Sequence, residues 1–220
     1  MSNFTLKRDM QCAHCSHLTV GYSNPNTVFG GSDLDTRPSE HPTPEACYRC
    51  ARCGYCAYDL SASLPNLAAV LASAEYQTQL TNDAYSELIQ NFFCAALLYE
   101  QAEMFVDAGW VYVNVAWISD DDGCTDLAQA CRLQAVDRFE QAIAAGGKLS
   151  QTPGAEALFL SDLLRRAGAF DRALAYCDAG LATAEEKLMQ TLLHYEKTLI
   201  RAQDQACHTG AEAVQSVVEG

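Results

Sequence analysis

Residues 156–182 read EALFLSDLLRRAGAFDRALAYCDAGLA, two amphipathic stretches joined by a short turn. Leu160 and Leu164 stand four residues apart, on one helical face, and Gly168 is the stop that a left-handed C-terminal position favours. Asp171 restarts the helix, and Phe170, Ala173 and Leu174 carry its apolar side. The small residues between the two stretches allow their backbones to cross closely. Such a pair cannot bury its own apolar faces, so it needs neighbours of the same kind.

Neighbours can be read on both sides. Thr152–Pro153 predicts the start of the first helix of the pair, and a last helix is expected from about Glu185 to about Ala206. Upstream, Thr125 or Asp126 starts a helix that Gly146–Gly147 stops. Residues 107–118, DAGWVYVNVAWI, have the valine content of a strand, but Trp110, Asn114 and Trp117 suit a buried helix between two helical segments. Thr81–Asn82 predicts the N-cap of a long helix through Phe92, Phe93, Leu97 and Met104. Pro65, preceded by Ser63 and Leu64, reads as a first-turn residue.

The unit at 156–182 resembles a tetratricopeptide repeat, and residues 108–145 resemble a more diverged copy. Gly180 stands where the repeat usually has alanine, and no proline follows the second helix. The resemblance implies an antiparallel helical array. Its leucine and aromatic stripes read first as core, and second as a peptide-binding groove.

Before residue 60 the composition changes. Cysteine, glycine and proline crowd that part, and Gly21 to Glu45 reads as loop. The expected organisation is a zinc-ribbon-like module over 1–60 and a helical repeat domain over 61–220, mainly α overall. Of the net charge of −14, residues 1–60 carry −1 and residues 61–220 carry −13. A body so acidic repels phosphate backbones, so general nucleic-acid binding is not expected and a protein partner is. No apolar run approaches the ~20 residues of a membrane span. The start, MSNFTLKRDMQC, lacks the apolar core of a signal peptide. Eleven cysteines, an odd number, fit a reducing cytoplasm better than a disulfide framework.

The chemistry rests on those cysteines. In 45–59, EACYRCARCGYCAYD, Cys47, Cys50, Cys53 and Cys56 recur at every third position. A ferredoxin run has a longer last gap followed by proline, whereas Ala57 follows Cys56. A redox CxxC needs a helix after it, and AYDLSASLP is not amphipathic. Zinc needs four ligands, usually from two short loops, and Cys12-Ala-His-Cys15 supplies the second loop. Of the overlapping CxxC units downstream, only Cys50-Ala-Arg-Cys53 is followed by glycine, Gly54. That glycine lets backbone amides point at the sulfurs. Cys12, Cys15, Cys50 and Cys53 are therefore the expected ligands of a structural Zn²⁺, with Ser16 in the glycine place of the first loop. Lys7, Arg8, Arg49 and Arg52 flank these loops, as the −2 charge of a tetrathiolate centre would favour. Cys47 and Cys56 read as buried packing residues or, more sharply, as a redox or ligand-exchange pair. His14 and His17 read as exposed or outer residues. Cys94, Cys131 and Cys177 read as packing or surface thiols in helices, and Cys124 and Cys207 as thiols near helix ends.

CAHCSH, SDLDTRPSE and CARCGYCAYD, followed by the helical repeats, resemble a group of uncharacterised bacterial proteins with a CPxCG…CPxCGY start. The resemblance implies the same four ligands. Ala13 and Ala51 replace the prolines of that pattern and Ser16 its first glycine. The DLDTRP loop is expected to fold over the zinc module, with Arg37 paired to Asp33 or Asp35.

No GxSxG, HExxH, Walker or dinucleotide motif is present. Asp120-Asp121-Asp122-Gly123 fails as an EF-hand, because Ile118 stands where the first acid belongs, and reads as a solvated turn. Four cysteines would close a zinc site to substrate. The expected function is a non-enzymatic zinc-binding scaffold for protein interaction. The alternative is a thiol- or metal-responsive regulator using Cys47 and Cys56.

Overall fold

The computed structural model describes residues 6–23, 32–38 and 47–218. Most of the loop expected between Gly21 and Glu45 lies outside them. The chain begins with two small antiparallel hairpins. The first pairs β1 (Leu6–Gln11) with β2 (Leu18–Ser23), Gln11 facing Leu18 at the turn. The second pairs β3 (Tyr48–Arg49) with β4 (Cys56–Ala57).

Helices follow: α1 (Leu67–Leu71), α2 (Ala74–Leu80), α3 (Glu87–Gln101), α4 (Phe105–Asp121), α5 (Thr125–Ala144), α6 (Ala155–Arg166), α7 (Phe170–Thr183), α8 (Lys187–Arg201) and α9 (Gly210–Val218). From α2 to α9 each packs against its successor, and α6 also packs against α8. The mainly helical class is as expected, including helix over 107–118.

Several boundaries differ from the sequence expectation, among them the end of α8, at Arg201 and not near Ala206. The long helix begins after Ser86, whose hydroxyl accepts from the Ile89 amide, while Thr81 closes α2. Asn82 does not cap; its side chain accepts from the Ala84 amide in a local turn. Pro65 precedes α1 rather than opening it, because Asn66 takes a left-handed φ of 56°. One helix, α9, was not expected. Its signal is a capping box: the Glu212 amide donates to the Thr209 hydroxyl and the Thr209 amide to the Glu212 carboxylate.

Two apolar cores meet at α4. Tyr55, Cys56 and Leu60 pack with Tyr76, Leu80, Phe92 and Leu98 in the first, which draws residues from both sides of position 60. Phe139, Phe159, Leu160, Leu164, Ala173 and Leu193 form the second. Helix α4 gives Val111 and Val115 to the first and Val113 and Trp117 to the second. A helix buried on both sides is apolar all round, which accounts for its strand-like composition. Gly109 lets α5 approach: a Cβ there would stand 2.5 Å from Phe139.

Within 156–182, Leu160 and Leu164 are fully buried and Gly168 ends α6 with a φ of +76°. At Gly180 a Cβ would lie 2.8 Å from Ala157 and 3.0 Å from Leu193. Helices α6 and α8 both press on that point, so alanine is excluded there.

Candidate metal centre

Each hairpin turn presents one CxxC pair, and the two turns have the same backbone pattern. In the first, the Cys12 amide donates to the His17 carbonyl at 2.9 Å and the Ser16 amide to the Cys12 carbonyl at 2.8 Å. In the second, the Cys50 amide donates to Tyr55 at 2.8 Å and the Gly54 amide to Cys50 at 2.9 Å. Ser16 and Gly54 are left-handed, with φ of 58° and 76°. The place that called for glycine in sequence is thus a left-handed place in both knuckles, and Ser16 occupies it with strain.

The knuckles face each other. The sulfurs of Cys12 and Cys53 are 3.6 Å apart, as are those of Cys15 and Cys50, and all four Sγ atoms lie within 4.8 Å of one another. A tetrahedral ion with Zn–S bonds of ~2.3 Å sets its sulfurs roughly 3.8 Å apart. The donor set fits a zinc ion. The sulfur of Cys12 accepts from the amides of Cys15 and His14, and that of Cys50 from those of Cys53 and Arg52. Burial raises the Cys50 thiol, but these amides and the thiols of Cys53 and Cys15 outweigh it and bring it down to about 7. Burial and the neighbouring thiols push Cys53 up, and burial raises Cys12. Burial and crowding thus favour the protonated thiols of Cys12 and Cys53, and a divalent cation is the charge that offsets both.

The second knuckle is anchored to the helices. The Tyr76 hydroxyl donates to the Gly54 carbonyl at 2.8 Å and accepts from the Cys56 amide at 3.1 Å. Leu80 lies against Gly54, where a Cβ would come within 2.7 Å of its methyl. The first knuckle is held by the Ala13 amide on the Leu60 carbonyl at 2.8 Å.

The remaining candidates fall elsewhere. Cys47 and Cys56 are buried beneath the knuckles. The Cys47 thiol is raised by burial, and that of Cys56 by hydrogen bonding to Cys94 and by burial. Neither joins the cluster. His14 is exposed and His17 half-buried, also outside it. The flanking cations have other partners: Lys7 pairs with Asp9, Arg8 with Asp59, and Arg49 reaches the Leu80 carbonyl. Lys7 and Arg8 are thus neutralised locally, whereas Arg49, bonded to a carbonyl, keeps its positive charge.

The DLDTRP loop does not follow the sequence expectation. Its hydrogen bonds run to α4 and to the segment between α8 and α9. The Leu34 amide donates to the His208 carbonyl at 2.9 Å, the Gly210 amide to Ser32 at 3.2 Å, and Arg37 Nη2 to Asp121 at 2.6 Å. Asp35, fully buried, accepts from Trp117 Nε1 at 2.9 Å and from Arg166 at 2.6 Å, with Arg132 3.8 Å away. Asp120 bonds both arginines and Asp121 bonds Arg37, while Asp122 and Gly123 form the exposed turn between α4 and α5 that the sequence suggests. Beside this group, Arg165 lies between Asp162 and Glu196 and donates to the carbonyls of Asp204 and Ala206. Burial and Asp162, against Arg165, push Glu196 up to about 8. The spacing of Asp162, Arg165 and Arg166 along one helix was the sequence signal for this cluster.

The chain matches no protein-family model, no curated protein and no solved structure.

Proposed function

We propose that the chain is a non-enzymatic scaffold in which a structural Zn²⁺, held by Cys12, Cys15, Cys50 and Cys53, fixes two knuckles to a tetratricopeptide-like helical array that receives a protein partner. The observation that supports it best is the convergence of four sulfurs from two equivalent turns. Three of the four, Cys12, Cys50 and Cys53, have backbone amides aimed at them, which is the electrostatic environment of a tetrathiolate. Four cysteine ligands leave no open position for a substrate. A groove of about 500 Å³ beside α2 and α3 is lined by Tyr85, Phe93, Leu97 and Tyr112 with one carboxylate, Glu75. Such a lining suits packing against a partner better than acid–base chemistry. Eleven thiols and an acidic surface fit a cytoplasmic protein that avoids nucleic acid.

The regulator reading is weaker. Cys47 and Cys56 are inaccessible and their thiols are held protonated, whereas redox chemistry needs an accessible thiolate.

Cobalt(II) substitution tests the site. The expected spectrum has the intense ligand-field bands and sulfur-to-metal charge transfer of a tetrahedral tetrathiolate, and zinc should erase them at one equivalent. Weak octahedral bands, or no stoichiometric uptake, would remove the site and the scaffold reading built on it.

A further inference from the structure

Six large apolar side chains are exposed among the described residues, and three of them share one strand. Leu18, Val20 and Tyr22 are 71%, 45% and 60% exposed and stand at alternate positions of β2, on one face of the first hairpin. The others, Leu88, Leu188 and Val214, stand singly on α3, α8 and α9, which is ordinary for a surface. The opposite face of the hairpin is already covered: Met10 is buried, and a Cβ at Gly21 would come within 2.8 Å of the Tyr48 ring.

The backbone of β2 is open along the same residues. The Cys12 amide donates to the His17 carbonyl, so these two form a hydrogen-bonded pair at the end of the ladder. Pairs alternate in type along an antiparallel ladder. Gln11–Leu18, Asp9–Val20 and Lys7–Tyr22 are then the non-bonded pairs, and the amides and carbonyls of Leu18, Val20 and Tyr22 point away from β1. The Tyr22 carbonyl agrees with this, since it accepts from the Tyr48 hydroxyl at 2.8 Å, outside the ladder. Among the described residues, no other hydrogen bond reaches the outward groups of these three. Charges blunt an exposed edge, and β1 carries Lys7, Arg8 and Asp9. Strand β2 carries neither charge nor proline, which leaves it a template for another strand.

We propose that β2 is a dimerisation edge, pairing antiparallel with β2 of a second copy about a two-fold axis at Val20. The apolar positions 18, 20 and 22 are symmetric about their centre, so this axis sets Val20 against its own copy and Leu18 against Tyr22 in both directions. Every outward amide and carbonyl of the three finds a partner, the Tyr22 carbonyl using its second lone pair. Apolar side chains meet apolar ones at each pair, and the contact is isologous, so it closes at two chains. Charge favours a second copy at this end of the molecule. Residues 1–60 carry −1 against −13 for 61–220, so two chains meet with least repulsion through their hairpins. The dimer goes beyond the scaffold reading and is independent of what the helical body receives.

The test is analytical ultracentrifugation of the full, zinc-loaded chain. So short a strand pair predicts a dissociation constant on the order of 10 µM, and wild type should pass from monomer to dimer between about 1 and about 300 µM. Val20→Lys and Val20→Glu should each weaken dimerisation at least about tenfold, because position 20 faces itself and like charges then oppose. Mixed in equal amounts, the two variants should restore it. Leu18→Lys mixed with Tyr22→Glu, which face each other across the axis, should also pair. Gln11→Lys, exposed on the β1 edge, should dimerise as wild type does. A wild type that stays monomeric throughout overturns the proposal and leaves the edge to a strand of another protein. Dimers that survive both Val20 substitutions overturn it by placing the contact on another surface, and mixtures that stay monomeric overturn the two-fold register. Circular dichroism and zinc content of each sample separate misfolding from lost pairing. A folded, zinc-loaded monomer would leave the metal reading standing without the dimer, and a dimer without zinc would do the reverse.

Discussion

Gly54→Ala should damage the protein far more than its size suggests, while Ser16→Gly at the matching place should not. At Gly54 the backbone has a φ of +76°, and a new Cβ would lie 2.7 Å from the Leu80 methyl. A left-handed alanine costs roughly 1–2 kcal/mol. Leu80 is buried in the first core, so forcing it aside is overpacking, typically about 1–3 kcal/mol. The smaller conformational freedom of the unfolded alanine chain returns about 0.4–1 kcal/mol. The net loss is about 1–4.6 kcal/mol. Ser16 has a similar φ of 58° but is exposed. Glycine there relieves strain at the cost of unfolded-state freedom, so stability should hold or rise by up to about 1 kcal/mol. Urea unfolding of the zinc-loaded proteins, with chelator competition as a second readout, measures both. The double variant Gly54→Ala, Leu80→Ala should lose less than the sum of the single variants, because the collision is then gone. A Gly54→Ala loss below about 0.5 kcal/mol, the range of an ordinary surface change, would refute the reasoning.

Cys50→Ser should abolish stoichiometric zinc binding and open the hairpins to protease, whereas Cys47→Ser should keep the metal and lose roughly 1 kcal/mol of stability. Metal analysis and limited proteolysis of the two variants separate them, and zinc lost from the Cys47 variant alone would mean a wrong ligand register. Because Glu196 is raised from 4.5 to about 8, the folded state holds a proton that the unfolded state releases, so this group's stabilisation is complete below pH 4.5 and is lost as pH rises through about 8. Denaturation midpoints across that window should fall with pH, and Glu196→Gln should flatten the slope; an unchanged slope would mean that Glu196 is ionised in the fold. A chain beginning near residue 62 should keep the helical circular dichroism of the second core, while α1 to α3 lose the cover of Tyr55, Cys56 and Leu60. Loss of helicity throughout would mean that the hairpins and helices fold as one unit.

Local signals carried the legible part. Gly168 and Gly146 end helices with positive φ, as their placement after apolar periodic stretches indicates. The Cys50–Cys53–Gly54 register was legible because only one of the overlapping CxxC units has a glycine at the left-handed place. The valine-rich segment 107–118 was helical because burial on two sides overrides strand propensity. What was missed depends on long-range partners. Asp35 meets Arg166 across 131 residues of chain, and no local spacing announces that pairing. The turn over 32–38 read only as loop, because what places it, the bonds of Leu34 and Ser32 to His208 and Gly210, lies far away in the chain. Helix α9 is a different case, since Thr209 and Glu212 spelled out a capping box that could have been read.

The most direct test is the metal content of the purified, unmodified protein, measured by elemental analysis alongside its visible spectrum. The account predicts about one zinc per chain, no colour, and release of the metal when thiol reagents modify Cys12, Cys15, Cys50 and Cys53. Iron in place of zinc, with visible absorption that dithionite bleaches, would contradict it, as would a metal-free protein whose four thiols react freely.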